Sequence, residues 1–168
     1  KIYTNDDGSA YFLKLDEEDL NTQFLYFSYV MNAPQGSTLT GGLPSDGKVL
    51  EFRNFKKENI GLYQINTSYI KGDETNNIAK SSITNITEAF VEVFKPSART
   101  DNSVLINVNS ILLSEKMDSI SYIPSEYREY ITVDYGRPDE SKTFVKNVFN
   151  NERFSSIKPT PVPKIKHL

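Results

Sequence analysis

The sequence contains no cysteine and no tryptophan, and its single histidine, His167, is the second residue from the end. Without cysteine the chain can form no disulfide, no thiolate zinc site and no cysteine nucleophile. A zinc site built on His167 lacks further histidine or cysteine ligands, and a serine nucleophile lacks a histidine base near it. We therefore expect no catalytic residues, no cofactor and no metal site within this segment.

The chain also has no large excess of charge of one sign and no long apolar run. The chain has 19 basic and 22 acidic residues and a net charge of -3, so no basic field indicates a nucleic-acid partner. No stretch approaches the roughly 18 apolar residues of a membrane span. No signal peptide follows Lys1, and both ends have the character of cut ends. We expect a segment of a longer polypeptide, without nucleic acid or membrane span.

Aromatic residues, in contrast, are abundant, with ten Tyr and ten Phe among 168 residues. This content and a hydrophobic fraction of 38% favour a packed core over disorder. The length suits one domain, which we predict over residues 1–157. Residues 158–168 contain three prolines at alternate positions, which is typical of an extended linker or tail.

Short runs of β-branched and aromatic residues predict most of the secondary structure. Strands are predicted over 10–15, 23–31, 48–54, 60–70, 90–94, 104–108, 131–135 and 152–157. The strand at 23–31 is interpreted as central because it is long and apolar. The two strands at 48–54 and 60–70 predict an antiparallel hairpin, since only a short polar link separates them.

The stretch 86–113 is predicted to form a second hairpin, on which the rest of the domain is organised. Its strands are 90–94 and 104–108, and residues 100–103 (T-D-N-S) supply the turn. The apolar side chains of this hairpin should face the core. The residues expected to be mostly buried are Phe90, Phe94, Leu105 and Val108.

Helical patterns are short and few. Residues 77–85 show apolar residues at the spacing of a short helix. Residues 139–147 have the character of a helix start, and Val145, Val148 and Phe149 follow at i, i+3 and i+4. Residues 109–116 suit a single turn capped by Asn109 or Ser110, and the acidic residues 16–21 suit a loop or a single turn. The predicted fold class is α+β, mainly antiparallel β-sheet with two or three short helices packed on it.

Three patterns leave a binding role open. The loop 32–47 is rich in glycine and proline but lacks both phosphate-binding fingerprints, so we interpret it as a surface or partner-facing loop. The acidic residues 16–19 lack the ligand order of a calcium-binding EF-hand loop. Six aromatic residues suit either the core, which is the default, or a stacking platform for sugars or single-stranded nucleic acid, the latter disfavoured by the negative net charge. They are Phe24, Tyr26, Phe27, Tyr29, Tyr63 and Tyr69.

The order of the segments along the chain is similar to that of a known family. The segments are, in order, Y-F-L-K-L, F-L-Y-F-S-Y-V, the Gly-rich loop at 33–43, V-L-E-F-R, a strand ending at Tyr69, a short helix, A-F-V-E-V-F, V-L-I-N-V and residues 141–152. This order, over about residues 10–157, resembles the uncharacterised N-terminal domain of large bacterial zinc-dependent metalloproteases of the zincin type. The chain departs from that pattern at Asn150, where proline is usual.

The resemblance implies a non-catalytic accessory domain. In the family, zinc is held by an H-E-x-x-H helix and a downstream ligand, and no position here matches them. Zinc is therefore expected only in a catalytic domain outside this segment. The implied location is extracytoplasmic (periplasmic, outer-surface or secreted), and the implied partner is the catalytic domain or another protein. The alternative is an independent extracellular glycan- or protein-binding module, marked by exposed Tyr and Phe residues beside the loop 32–47.

Overall fold

A computed structural model describes residues 1–28, 47–67, 88–114, 116–117, 141–151 and 155–160, with 157–160 described by backbone alone. These residues form strands, one 3₁₀ turn at Glu17–Asp19 and one helical turn, α1, at Asn109–Leu112. The strands are β1 (Ile2–Thr4), β2 (Tyr11–Asp16), β3 (Gln23–Tyr26), β4 (Lys48–Phe55), β5 (Asn59–Gln64), β6 (Ala89–Phe94), β7 (Pro96–Arg99), β8 (Ser103–Asn107), β9 (Phe144–Asn150) and β10 (Ser155–Thr160).

The strands form two four-stranded antiparallel sheets and one separate hairpin. The first sheet has the order β1-β2-β8-β7, the second has the order β3-β4-β5-β6, and β9 pairs with β10. Each large sheet buries one face, and the buried side chains of both form one cluster. Its members are Tyr11, Leu15, Val104, Ile106 and Val108 from the first sheet and its end, Leu50, Phe52, Ile60, Leu62 and Phe94 from the second, and Met117. The mainly antiparallel β character is therefore confirmed.

The hairpin predicted over 86–113 is wrong in its pairing. One residue, Lys95, separates β6 from β7, yet β6 pairs with β5 in the second sheet and β7 pairs with β8 in the first. The predicted turn at 100–103 exists, but it joins β7 to β8. Pro96 has no N–H with which to continue the ladder of β6, so the chain changes sheets there. The polar sequence of β7 gave no apolar signal for the extra strand.

A β-bulge in β6 explains why Phe90 is not buried as predicted. The register passes from Leu62↔Glu92 to Tyr63↔Phe90, which leaves Val91 as an extra residue. One extra residue reverses the alternation of faces. Phe94 and Val108 are each 3% exposed, as expected, whereas Phe90 is 47% exposed and Leu105 is half-buried.

A second bulge explains why the helix predicted over 139–147 is wrong. From residue 144 onward the chain forms β9, whose pairing with β10 skips Lys146; residues 139 and 140 lie outside the described part of the chain. Val145 and Val148 both pack against the core, three residues apart, because the extra residue brings them to the same side. The spacing imitates a helical i, i+3 pair, but Phe149 at i+4 is 56% exposed.

Only part of the predicted helix content lies in the described residues. The single turns at 16–21 and 109–116 are confirmed, but the cap of α1 is Val108. Asn109 instead accepts the Tyr11 N–H at 2.8 Å and donates to the Ser9 carbonyl at 2.9 Å, which fastens α1 to the first sheet. The predicted helix at 77–85, the strand at 131–135 and nearly all of the loop 32–47 lie outside the described residues.

In the second sheet the hairpin β4–β5 forms as predicted, with Ile60 and Leu62 buried. The strand predicted over 60–70 is too long, because β5 ends at Gln64 and residues 65–67 are not in a strand; residues 68–70 lie outside the described part of the chain. β3, predicted as central within 23–31, is an edge strand with three of its four residues exposed; residues 29–31 lie outside the described part. β10 continues to Thr160, so its last three residues fall within the segment predicted as linker.

Candidate binding surface

The outer face of the second sheet carries a cluster of aromatic and charged side chains. It comprises Glu51, Arg53 and Phe55 on β4, Tyr63 on β5, Phe90 on β6, and Glu88 just before β6. Side chains alternate between the faces of a strand. Because Leu50 and Phe52 point into the core, their odd-numbered neighbours on β4 point outward. The register then makes Glu51, Tyr63 and Phe90 consecutive cross-strand neighbours.

Three aromatic rings on this outer face pack against one another and fix the position of Phe90. Its ring centroid lies 5.3 Å from that of Phe55 and 5.1 Å from that of Tyr63, the latter edge-on. A Cβ on Gly61 would lie 2.9 Å from the Tyr63 ring and 3.2 Å from the Phe90 ring. The glycine therefore leaves the space across which both rings lie, and Phe90 keeps nearly half its surface open to solvent.

Arg53 holds two carboxylates beside the rings. Its Nε donates to Glu51 Oε1 at 2.6 Å, its Nη2 donates to Glu88 Oε1 at 3.1 Å, and its Nη1 donates to Glu88 Oε2. The guanidinium carbon also lies 4.8 Å from the centre of the Tyr63 ring, within cation–π range. These bonds, first that to Glu51 and then that to Glu88, raise the pKa of Arg53 above its ordinary value.

The charged groups of this cluster bond to one another, so Arg53 does not offer a site for an anion. Glu51 is only 6% exposed, and a buried carboxylate needs a partner such as Arg53. The guanidinium directs Nε and both Nη atoms to carboxylates, and the three groups sum to one negative charge. The chemistry of the outer face is therefore aromatic, with a rigid and mildly acidic border.

The aromatic platform predicted from sequence is assembled only in part. Of its members, Tyr63 lies on the outer face, Tyr26 packs against the core, and Phe24 stacks on Phe52 at 5.3 Å. Phe27 is 50% exposed and lies against Gly47. Tyr29 and Tyr69 lie outside the described residues. The sequence reasoning missed Phe55 and Phe90, because strict alternation assigned Phe90 to the core and the bulge has no local signal.

A second surface is an open cleft between the β1–β2 turn and β9. Its volume is about 650 Å³, and it is lined by Thr4, Asp7, Gly8, Tyr11 and the first five residues of β9, 144–148. The Tyr11 hydroxyl donates to the Gly8 carbonyl at 2.7 Å and accepts the Val145 N–H at 3.1 Å. This phenol thereby fixes the distance between the two walls.

The acidic residues 16–19 serve the local backbone. Asp19 Oδ2 accepts the Asp16 N–H at 2.8 Å, which is half of a capping box. Lys14 pairs with Asp16 at 2.7 Å and, by its hydrogen bond, lowers the pKa of that carboxyl. Within the described ranges, no three His, Asp or Glu side chains converge on a point where they could hold a metal ion.

No protein-family model matches the chain, and no curated protein or solved structure matches it either. Among the helices in the described part of the chain, none is both long and apolar enough to cross a membrane.

Proposed function

We propose that this chain is a non-catalytic accessory domain of a secreted bacterial zinc metalloprotease, and that the outer face docks a protein. The partner is the catalytic domain of the same polypeptide or another extracytoplasmic protein. The observation that carries the docking role is Phe90, a large aromatic side chain that a bulge turns away from the core and that Phe55 and Tyr63 hold in place.

The composition and rigidity of the outer face support this role. Protein interfaces are enriched in Tyr, Phe and Arg, and their binding energy concentrates in a few well-packed anchors surrounded by polar groups. Phe90 has the position of such an anchor, with Arg53 and Glu88 at its border. Because the rings are already packed and the guanidinium is already bonded, little side-chain entropy is lost when a partner covers them.

The metalloprotease setting is supported by the order of strand segments in the sequence. It requires a catalytic domain elsewhere in the polypeptide, and zinc belongs to that domain because no zinc-ligand motif lies in this segment. Sequencing the reading frame beyond Leu168 tests the setting. We expect an H-E-x-x-H motif downstream; a stop codon directly after Leu168 would contradict it.

The docking role is tested by titrating the chain with the separately expressed catalytic domain in a calorimeter. We expect Phe90→Ser to weaken binding roughly tenfold or more, because an interface anchor is lost. Phe149→Ser is the matched control, since Phe149 is similarly exposed but lies on β9. Equal affinities for the two variants would refute docking through the outer face.

The alternative is an independent extracellular module that binds a glycan or a protein through the same aromatic side chains. The exposed rings of Phe90 and Phe27 are the observation in its favour. Glycan-array binding that is lost in Tyr63→Ala would support a glycan on the outer face. Glycan binding that is retained in Tyr63→Ala would show that the outer face does not bind the glycan, and would favour a protein partner there.

A further inference from the structure

The cleft between the β1–β2 turn and β9 brings together groups that the docking role does not use. Phe144 presents a ring that is 51% exposed. The same cleft is lined by Asp7, Asn147, Thr4 and Lys146. The lining thus combines one exposed aromatic ring with side chains that donate and accept hydrogen bonds.

We infer that this cleft binds a neutral saccharide, stacked on Phe144 and bonded through its hydroxyls to Asp7 and Asn147. The C–H bonds on one face of a sugar ring carry slight positive charge, and the face of an aromatic ring is negative. Hydroxyl groups donate well to an ionised carboxylate, and a side-chain amide both donates and accepts. The three groups together match the three kinds of surface that a sugar offers.

The charges and dimensions of the cleft select this class over others. Asp7 and Lys146 are the two charged residues of the lining and have opposite signs, so the lining has no net charge and favours neither a strongly anionic nor a strongly cationic ligand. Hydrogen bonds from the Ser9 side chain and backbone lower the pKa of Asp7, which keeps it an acceptor at neutral pH. About 650 Å³ lies within the range of roughly 300–1,000 Å³ typical of small-ligand sites.

The walls of the cleft are held before any ligand arrives. The Tyr11 hydroxyl joins Gly8 on one wall to Val145 on the other, and Tyr11 is only 3% exposed. The Asp7 carboxylate is oriented by the Ser9 N–H, which donates to Oδ1 at 2.8 Å. A preformed site loses less entropy on binding, which suits a ligand that offers only weak individual contacts.

The test is an NMR titration of the full chain with methyl glycosides of glucose, galactose, mannose and N-acetylglucosamine. At least one should shift the amide signals of Asp7, Gly8 and residues 144–148, and leave those of Tyr63 and Phe90 in place. Phe144→Ala should weaken that binding roughly tenfold, whereas Phe149→Ala should leave it unchanged. Asp7→Asn, which keeps the turn geometry, should weaken glycoside binding several-fold. If Phe144→Ala does not fold, the effect of Asp7→Asn tests the site in its place.

Three results would overturn the inference. They are the absence of binding by every glycoside, shifts that map to the outer face, and equal effects of Phe144→Ala and Phe149→Ala. Tighter binding of glucuronic acid than of any neutral glycoside would reject the neutral class. Because the cleft and the outer face are separate surfaces, failure here leaves the docking proposal standing, and failure of docking leaves the cleft standing.

Discussion

The two four-stranded sheets share one core but present different chemistry outside it. The first sheet is fastened to the β9–β10 hairpin by polar bonds. Tyr11 bonds to Val145, and the Asn150 amide accepts the Ile2 N–H at 2.8 Å and donates to the Ile2 carbonyl at 2.7 Å. The second sheet instead exposes aromatic rings beside an ion cluster. Burial thus explains the architecture of both sheets. The polar groups at the border of the first sheet attach a hairpin, whereas the outer face of the second sheet leaves Phe90 exposed to solvent.

The Asn150 side chain shows how specific the attachment of the first sheet is. Its amide imitates a backbone unit by pairing with both polar groups of Ile2. A proline at this position would make neither bond. The second sheet gains rigidity differently, through packed rings and the bonds of Arg53.

Truncating the shared core should give the largest effect, and equally in both sheets. Ile106 in β8 and Leu62 in β5 are 0% and 1% exposed, so Ile106→Ala and Leu62→Ala should each cost about 2–5 kcal/mol. Thermal unfolding followed by calorimetry should show one transition, lowered in both variants. Two transitions, each lowered by only one variant, would show that the sheets do not share a core.

Removing Arg53 should destabilise the second sheet. Arg53→Met leaves the carboxylate of Glu51 buried without its partner, which should cost about 2–3 kcal/mol, less than for a fully buried pair because Arg53 is partly exposed. Urea unfolding measures the loss. Lys14→Met is the control, since the Lys14–Asp16 pair is exposed and should leave the midpoint unchanged; equal losses would show that Arg53 has no special role.

Removing one hydroxyl should loosen the attachment of the first sheet. Tyr11→Phe leaves the Val145 N–H and the Gly8 carbonyl without their partner, which should cost about 1–2 kcal/mol. Hydrogen exchange should then accelerate in β9 more than in β5. Tyr63→Phe, on the outer face, should change stability by less than about 0.5 kcal/mol. A larger loss of stability in Tyr63→Phe than in Tyr11→Phe would show that the structural hydroxyl lies on the outer face and not between the first sheet and β9.

The smallest effect concerns the turn beside the cleft. The Ser9 hydroxyl and N–H lower the pKa of Asp7 in the folded protein. The ionised Asp7 carboxylate therefore stabilises the folded state at pH values above its ordinary pKa of 3.8. This stabilisation is lost as the pH falls through the lowered folded-state value. NMR titration of the Asp7 carboxyl should show its pKa rising in Ser9→Ala. The pKa of Asp16, lowered by Lys14, should stay the same.

The sequence predicts the regular parts of this fold because alternation is a local property. The hairpin β4–β5 follows from two alternating runs and a short polar link, and Leu50, Ile60 and Phe94 are buried as their positions require. The two bulges could not be predicted in this way. An extra residue at Val91 or Lys146 exists only in relation to a partner strand, and each reverses the faces that alternation assigns.

The candidate surfaces were harder to predict than the strands for the same reason. Phe90 was expected in the core, and only the bulge places it outside. Arg53 and Glu88 lie 35 residues apart, and no spacing rule brings them together. The cleft joins the β1–β2 turn to a region that the sequence predicted as helix, so its lining residues shared no recognisable pattern.

The absence of cysteine allows the most direct test of the docking proposal. Leu25 on β3 is 58% exposed, and its partner Val49 lies in register with the outward residues of β4. The alkylation rate of Leu25→Cys is compared between this chain and the full polypeptide by peptide mass spectrometry, with Phe149→Cys as control. We predict slower labelling only at position 25 in the full polypeptide; equal rates at both positions would contradict docking through the outer face.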